Sequence, residues 1–177
     1  MLIIKSFLKR PAKNIDNLAA VTRAPYDFFI DIDDAEEIKK ISKQLNRDNL
    51  DGVLTIEYNG NYFLDFTAWD EIETLFFYFF NLLEELKKKD TAYLYFPSTS
   101  IKVELTRMPN HLVHVSFSNG KRTAFVIPEI EFVKTLLDEI HHFFTTGLAN
   151  FNLTGTRYTL GLDHVKKLRA MYALDDA

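Results

Sequence analysis

Cysteine is absent from this chain of 177 residues. Its absence excludes disulfide bonds, thiolate metal sites and cysteine nucleophiles, and it is compatible with a reducing cytoplasm, where we expect the protein to reside. Glycine is also sparse, and neither Gly-x-Gly-x-x-Gly nor Gly-x-x-x-x-Gly-Lys occurs. Because those loops cradle the phosphates of dinucleotides and nucleoside triphosphates, the sequence predicts no cofactor of either class.

Long apolar runs are missing as well. The longest apolar stretch, 75–83, is interrupted by Asn81 and is far shorter than the roughly 20 residues that cross a bilayer. Basic residues follow the short apolar start of the chain, and no small-residue cleavage site comes after them, so we expect no signal peptide. The sequence therefore predicts no membrane partner.

Charge of one sign is not dominant. Twenty-one basic and 25 acidic side chains give a net charge of -4. Nucleic-acid binding depends on neutralising phosphates with an excess of Lys and Arg, so no nucleic-acid partner is predicted. A protein partner with a basic surface is favoured over an acidic one.

What the chain has in abundance is aromatic and aliphatic residues, with 47% hydrophobic content, 16 Phe and 8 Tyr. This is enough to bury one large core, so we predict a single α+β domain over 1–177. Within it, 1–25 is predicted to form an arm with one short strand, and 163–177 a C-terminal helix and tail. The expected architecture is an antiparallel sheet built around two β-hairpins, with helices packed on one face.

Two Asn-Gly pairs, Asn59-Gly60 and Asn119-Gly120, lie between runs of β-forming residues. Both residue types tolerate the positive φ of a type I′ turn, so each pair predicts a hairpin. In the first hairpin, a two-residue loop places Ile56 opposite Phe63. A helix is predicted after each hairpin, and Gly147 is expected to end the second. The sequence thus predicts two ββα units plus N-terminal and C-terminal helices.

The first of these helices has apolar residues at helical spacing from Ile72 to Leu86. Phe77, Tyr78 and Phe80 lie off that stripe. Either the helix is sandwiched in a core, or these three aromatics form an exposed surface that contacts a partner or a second subunit.

An acidic cluster extends from a predicted strand, 26–32, into the first turn of the predicted helix that follows it. It contains no glycine, which argues against a calcium loop. One interpretation is a helix N-terminus, capped by Asp33 or Asp34 and favoured by the helix dipole. The other is a negative surface that attracts a basic partner. The carboxylates are Asp27, Asp31, Asp33, Asp34, Glu36 and Glu37.

Glu139 and His142 have the Glu-x-x-His spacing that di-iron bundles use. A second copy of the motif, which such a centre requires, is missing. A solvated helix surface is therefore favoured, with His142 paired to Asp138 at i, i+4. We predict no catalytic or metal-ligating residue, and keep a metal-binding enzyme that uses Glu139, His141 and His142 as a further alternative.

Residues 52–144 resemble small bacterial immunity proteins of polymorphic or contact-dependent toxin systems. The residues that carry the resemblance are the run from Asp51 to Gly60, the acidic and apolar helix after it, Phe96-Pro97, Val113-His-Val-Ser-Phe117, and the Pro, acidic, Phe and Leu-rich run from Ile127 to Leu137. The resemblance implies a non-enzymatic protein that occludes a cognate toxin.

Two functional hypotheses therefore come from the sequence besides the metal-binding enzyme. In the first, the chain is a protein-binding module of the immunity type. In the second, it is a homo-oligomeric structural or regulatory protein, such as a homodimer. The residues predicted to bind a partner are Asp31, Asp33, Asp34, Glu36, Glu37, Phe77, Tyr78 and Phe80.

Overall fold

Two antiparallel sheets and five α-helices form the computed structural model, which describes residues 1–46, 49–151 and 156–174. The predicted α+β class is confirmed. The strands, however, divide between two sheets where the sequence predicted one. Alternation along each strand indicates which side chains share a face, but it does not indicate which strands share a sheet.

The first sheet has the order β2-β1-β3-β4, and a short strand, β5, also pairs with β3. Its central strand β1 is antiparallel to both neighbours. The strand predicted within 1–25 is therefore present, but it lies between two other strands and does not belong to an arm. Its burial has no simple alternation that would reveal this place in the sheet. The strands are β1 (Leu2–Lys9), β2 (Phe29–Asp31), β3 (Asp51–Tyr58), β4 (Asn61–Leu64) and β5 (Asp70–Glu71).

The second sheet is a simple meander in which each strand pairs with the next along the chain. All three of its strand pairs keep an unbroken antiparallel register. Its strands are β6 (Thr91–Tyr95), β7 (Lys102–Met108), β8 (Leu112–Asn119) and β9 (Lys121–Pro128).

The helices are α1 (Leu18–Arg23), α2 (Ala35–Ile41), α3 (Ile72–Lys88), α4 (Glu129–Phe151) and α5 (Thr156–Met171), with a 3-10 turn at Pro25–Asp27. Asp34 caps α2, as predicted, by accepting a hydrogen bond from the Glu37 N–H. Gly147 does not end α4, which continues to Phe151. The last helix begins at Thr156, earlier than predicted, and residues 175–177 of the predicted tail lie outside the described part of the chain.

The two Asn-Gly turns differ. Asn59 and Gly60 both have positive φ, 51° and 79°, as a type I′ turn requires. A β-bulge between Ile56 and Glu57 shifts the register, so that Ile56 pairs with Leu64 and the predicted pairing with Phe63 is wrong. In the second turn only Gly120 has positive φ, at 69°.

One aromatic core joins the two sheets. Phe125 of β9 stacks on Tyr58 of β3 with ring centroids 4.7 Å apart, and its ring is 4.6 Å from that of Phe63. Deeper in the core, Phe76 of α3 contacts Phe143 of α4 edge to face at 4.9 Å. Apolar residues of both sheets and of α2 to α5 belong to the same buried cluster.

The two sheets differ in how they are covered. A smaller cluster of Phe7, Val21, Phe29, Val53 and Phe66 covers the far side of the first sheet. The second sheet packs its inner face against the core, and its outward side chains, apart from the buried Ser116, remain at the surface. This asymmetry leaves one broad, uncovered sheet face.

Two glycines allow α4 and α5 to pack closely. A Cβ placed on Gly147 would lie 2.6 Å from the Tyr158 ring, and one placed on Gly161 would lie 2.5 Å from the ring of Phe144. Both distances are shorter than any ordinary carbon contact. The glycine predicted to terminate a helix therefore serves instead to admit an aromatic ring.

We expect Gly161→Ala to destabilise the protein by about 1–3 kcal/mol, because the buried Phe144 ring has no room to move away. In an open helix the same change is normally stabilising, by about 0.5–1 kcal/mol. Urea denaturation measures the difference. Lys166→Ala, at an exposed position of the same helix, should change stability by less than about 0.5 kcal/mol. A Gly161→Ala protein as stable as the wild type would contradict this packing.

Candidate functional site

The outer face of the second sheet is a surface that the helices leave free. On β6 the side chains alternate: Ala92 and Leu94 are buried, whereas Tyr93 and Tyr95 are 57% and 54% exposed. We call this surface the open face. It consists of the outward side chains of Thr91, Tyr93, Tyr95, Lys102, Glu104, Thr106, His114, Ser116, Ser118, Arg122, Ala124 and Val126.

The strand register arranges the open face in rows. Tyr93 pairs with Glu104 of β7, and Glu104 in turn pairs with Ser116 of β8. In the next row, Tyr95 pairs with Lys102. Because cross-strand partners lie about 5 Å apart, each tyrosine has a charged neighbour on the adjacent strand.

Charges and rings on the open face hold one another in place. Glu104 accepts a hydrogen bond from Lys102 Nζ at 2.5 Å and another from Arg122 at 3.2 Å. The Lys102 hydrogen bond is the main reason that the pKa of Glu104 lies below its usual value. Lys102 also lies over the Tyr93 ring, 4.6 Å from its centroid, and Tyr93 meets Tyr95 edge to face at 6.0 Å.

This arrangement suits macromolecular recognition. Tyr and Arg supply much of the energy at protein interfaces, and tyrosine loses little conformational entropy when it is buried there. The contacts of Tyr93 with Lys102 and Tyr95 hold its ring in position before any partner arrives. Two cations share the single carboxylate of Glu104, so the centre of the open face has an excess of positive charge.

The sequence analysis missed Tyr93 and Tyr95. A signal was available, because apolar and tyrosine residues alternate in Thr-Ala-Tyr-Leu-Tyr. What the pattern does not indicate is which face the helices cover. That depends on long-range packing of α3 and α4.

The acidic cluster has local partners. Asp31 is 3.4 Å from Lys5, and Asp33 is 2.6 Å from His142. Asp34 is the helix cap described above, and Glu36 lies near Lys39. Glu37 binds Lys40 and Arg10, whose hydrogen bonds lower its pKa. The helix N-terminus interpretation is thus confirmed for Asp34, while the attraction of a basic partner stays a prediction that this neutralised cluster does not favour.

The three off-stripe aromatics of α3 divide between core and surface. Phe80 is completely buried and stacks on His164 at 5.3 Å. Phe77 is partly buried and contacts Phe80 at 5.6 Å. Only Tyr78, at 39%, is well exposed. The sandwiched interpretation of this helix is therefore correct, and the prediction that Phe80 contacts a partner is wrong for this fold.

Glu139 and His142 do not converge on one point. His142 contacts Asp33, so the predicted pairing with Asp138 is wrong; Asp138 pairs with Lys134 and Arg169. His141 is exposed beside them. Nowhere in residues 1–46, 49–151 and 156–174 do three His, Asp or Glu side chains form a group that could hold a metal ion.

Glu139 accepts a hydrogen bond from a backbone N–H of the first sheet that lies beyond the end of β2. Strand β2 pairs only with Phe7, Leu8 and Lys9 of β1, so the Ser6 N–H extends past its end. Glu139 Oε1 accepts from that N–H at 2.7 Å. Burial raises the pKa of Glu139 to about 7, although the Ser6 hydrogen bonds and the nearby His142 oppose the rise.

This pKa makes stability depend on pH. Between about 4.5, the usual value, and about 7, the folded protein keeps the Glu139 proton that the unfolded chain has lost. The free energy of unfolding should therefore fall as pH rises through this window and level off above it. Glu139→Gln is neutral throughout and keeps an oxygen for Ser6. We expect this variant to be more stable than the wild type at pH 8, by about 1–3 kcal/mol, and equally stable at pH 4.

Urea denaturation from pH 4 to pH 8 measures this dependence. As a control, Glu131→Gln changes an exposed carboxylate on the same helix and should retain the wild-type fall in stability. An unchanged pH profile in Glu139→Gln would show that Glu139 does not carry the proton.

Comparisons with known proteins leave the function to be argued from this geometry. No protein-family model, curated protein or solved structure matches the chain. The resemblance to immunity proteins accordingly stays a prediction. Among the described helices, none has both the length and the apolar character needed to cross a bilayer.

Proposed function

We propose that this protein is a non-catalytic binding module that docks another protein on the open face of its second sheet. The observation that carries the proposal is the exposed pair Tyr93 and Tyr95, adjacent on a sheet face that packs against nothing in the described chain. An aromatic pair of this kind on a broad surface provides anchor contacts at an interface.

The open face also indicates the chemistry of the partner. Lys102 and Arg122 outnumber the one carboxylate, Glu104, that they share. A partner with carboxylates around an apolar centre would meet both the cations and the tyrosine rings. This differs from the basic partner expected from the sequence, because the acidic cluster that motivated it is paired within the chain.

Toxin neutralisation is the specific form of this function that the family resemblance supports. An immunity protein acts by covering the working surface of its toxin, which requires a rigid and preformed docking surface. The open face meets that requirement, since its strands are fixed to the aromatic core from behind. The partner would then be a toxin domain with acidic groups near its working surface.

Site-specific photo-crosslinking tests the docking surface. We expect a photoreactive phenylalanine analogue at position 93, expressed in the native cell, to form an adduct with one defined protein other than a second copy of this chain. The control places the same residue at position 62, where the native Tyr62 is 56% exposed, almost the same as the 57% of Tyr93. Adducts that are identical from both positions, or absent from position 93, would contradict docking on the open face.

The captured protein then permits a quantitative test. Tyr93→Ala should weaken its binding by about 30-fold, the loss typical of an interface hot spot, whereas Tyr62→Ala should change it by less than about 3-fold. For the toxin form of the proposal, the partner should arrest growth when expressed alone, and co-expressed wild-type protein should restore growth better than Tyr93→Ala. A harmless partner would exclude neutralisation but leave docking intact.

A further inference from the structure

We propose that β6 pairs with β6 of a second copy of this chain, so that the second sheet continues across a homodimer. This inference goes beyond the proposed function and depends on a different part of the molecule. The open face concerns outward side chains, whereas dimer formation concerns the backbone along the free edge of the sheet.

The backbone of β6 is half unpaired. The Phe96 N–H donates to the Ile101 carbonyl, and the Arg107 N–H donates to the Asp90 carbonyl. Hydrogen-bonded pairs alternate along antiparallel strands. Ala92 and Leu94 therefore bond to β7, while the N–H and C=O groups of the other three residues point away from the sheet. Those residues are Thr91, Tyr93 and Tyr95.

The other edge strands of both sheets are protected against pairing, and β6 is not. Strand β2 has only three residues and includes Asp31, β4 has four residues beside the bulge, and β5 consists of two acidic residues. Strand β9 begins with Lys121 and Arg122 and ends with Pro128. Charges, prolines, bulges and short length all discourage edge-to-edge pairing. Strand β6 has no charge, no proline and no irregularity in its register.

The sequence of β6 is suited to a second copy in particular. A two-fold axis through Tyr93 places Tyr93 opposite its own equivalent, Thr91 opposite Tyr95, and Ala92 opposite Leu94. No charge meets a like charge, and on the inner face a small residue meets a large one. The three outward-pointing residues of each strand would form about six backbone hydrogen bonds.

Pro97 also limits the registers in which the two β6 strands can pair. Pro97 follows β6 closely and has no N–H to donate, so sliding one copy toward that side brings Pro97 into the ladder and loses bonds. The register through Tyr93 uses all three outward-pointing residues. It also brings the tyrosine pairs of the two copies together on one continuous open face.

Light scattering with proline variants tests the dimer. We expect the purified wild-type chain to have twice the monomer mass at micromolar concentration. Tyr93→Pro removes an outward N–H without breaking a bond to β7, and should leave a folded monomer. Ala124→Pro is the matched control, since the Glu129 N–H to His111 carbonyl bond sets the alternation on β9 and places the Ala124 N–H on the opposite free edge. It should remain dimeric.

Disulfide crosslinking tests the register even if the proline variant does not fold. The chain has no cysteine of its own, so an introduced cysteine can form a disulfide only with another introduced cysteine. Tyr93→Cys should oxidise to a covalent dimer, because residues paired on the axis lie about 5.5 Å apart at Cα, within the disulfide range. Thr91→Cys should not, since its equivalents lie roughly 14 Å apart. A mixture of Thr91→Cys and Tyr95→Cys chains should crosslink.

Several results would overturn the proposal. One is a wild-type chain that stays monomeric even when its concentration is raised about 100-fold above the micromolar range. Another is a dimer that survives Tyr93→Pro with its fold intact, and a third is equal crosslinking of Thr91→Cys and Tyr93→Cys. All of these measurements use the purified chain alone, so they are independent of whether the open face binds another protein.

Discussion

The contact of Phe125, a residue of the second sheet, with the first sheet is the constraint on which the rest of the structure depends. Its ring stacks on Tyr58, meets Phe63 edge to face, and lies 6.4 Å from Phe132 at the start of α4. These contacts direct the inner face of the second sheet toward the first sheet and the helices. The outer face is then the side left free, and its backbone cannot shift without disturbing a close-packed core.

Electrostatics follow the same division. Charged groups at the junction of β1, α2 and α4 form ion pairs with one another, as Asp31 does with Lys5 and Asp33 with His142. Glu139 accepts a hydrogen bond from the Ser6 N–H, which lies beyond the end of β2. Such pairs fix local structure and leave little net field for steering a partner. On the open face, by contrast, Lys102 and Arg122 share one carboxylate, so recognition and scaffold building use different charges.

Features that depend on neighbouring residues could be predicted from the sequence. The stripe of α3, the cap at Asp34 and the turn at Asn59-Gly60 follow from short-range spacing. Features that depend on distant contacts could not. The bulge beside Ile56, the ring of Tyr158 against Gly147 and the pairing of Ser6 with Glu139 each join residues far apart in sequence or irregular in register. The exposure of Tyr93 and Tyr95 could not be predicted for the same reason.

A single core shared by both sheets is the central claim, and the only tryptophan provides a direct test. Trp69 packs against the small cluster on the first sheet, while far-UV circular dichroism is dominated by α3, α4 and α5. Urea unfolding followed by Trp69 fluorescence and by circular dichroism should give coincident transitions with one midpoint. Two separated midpoints would show that the first sheet unfolds independently of the helical core, and would contradict the shared core.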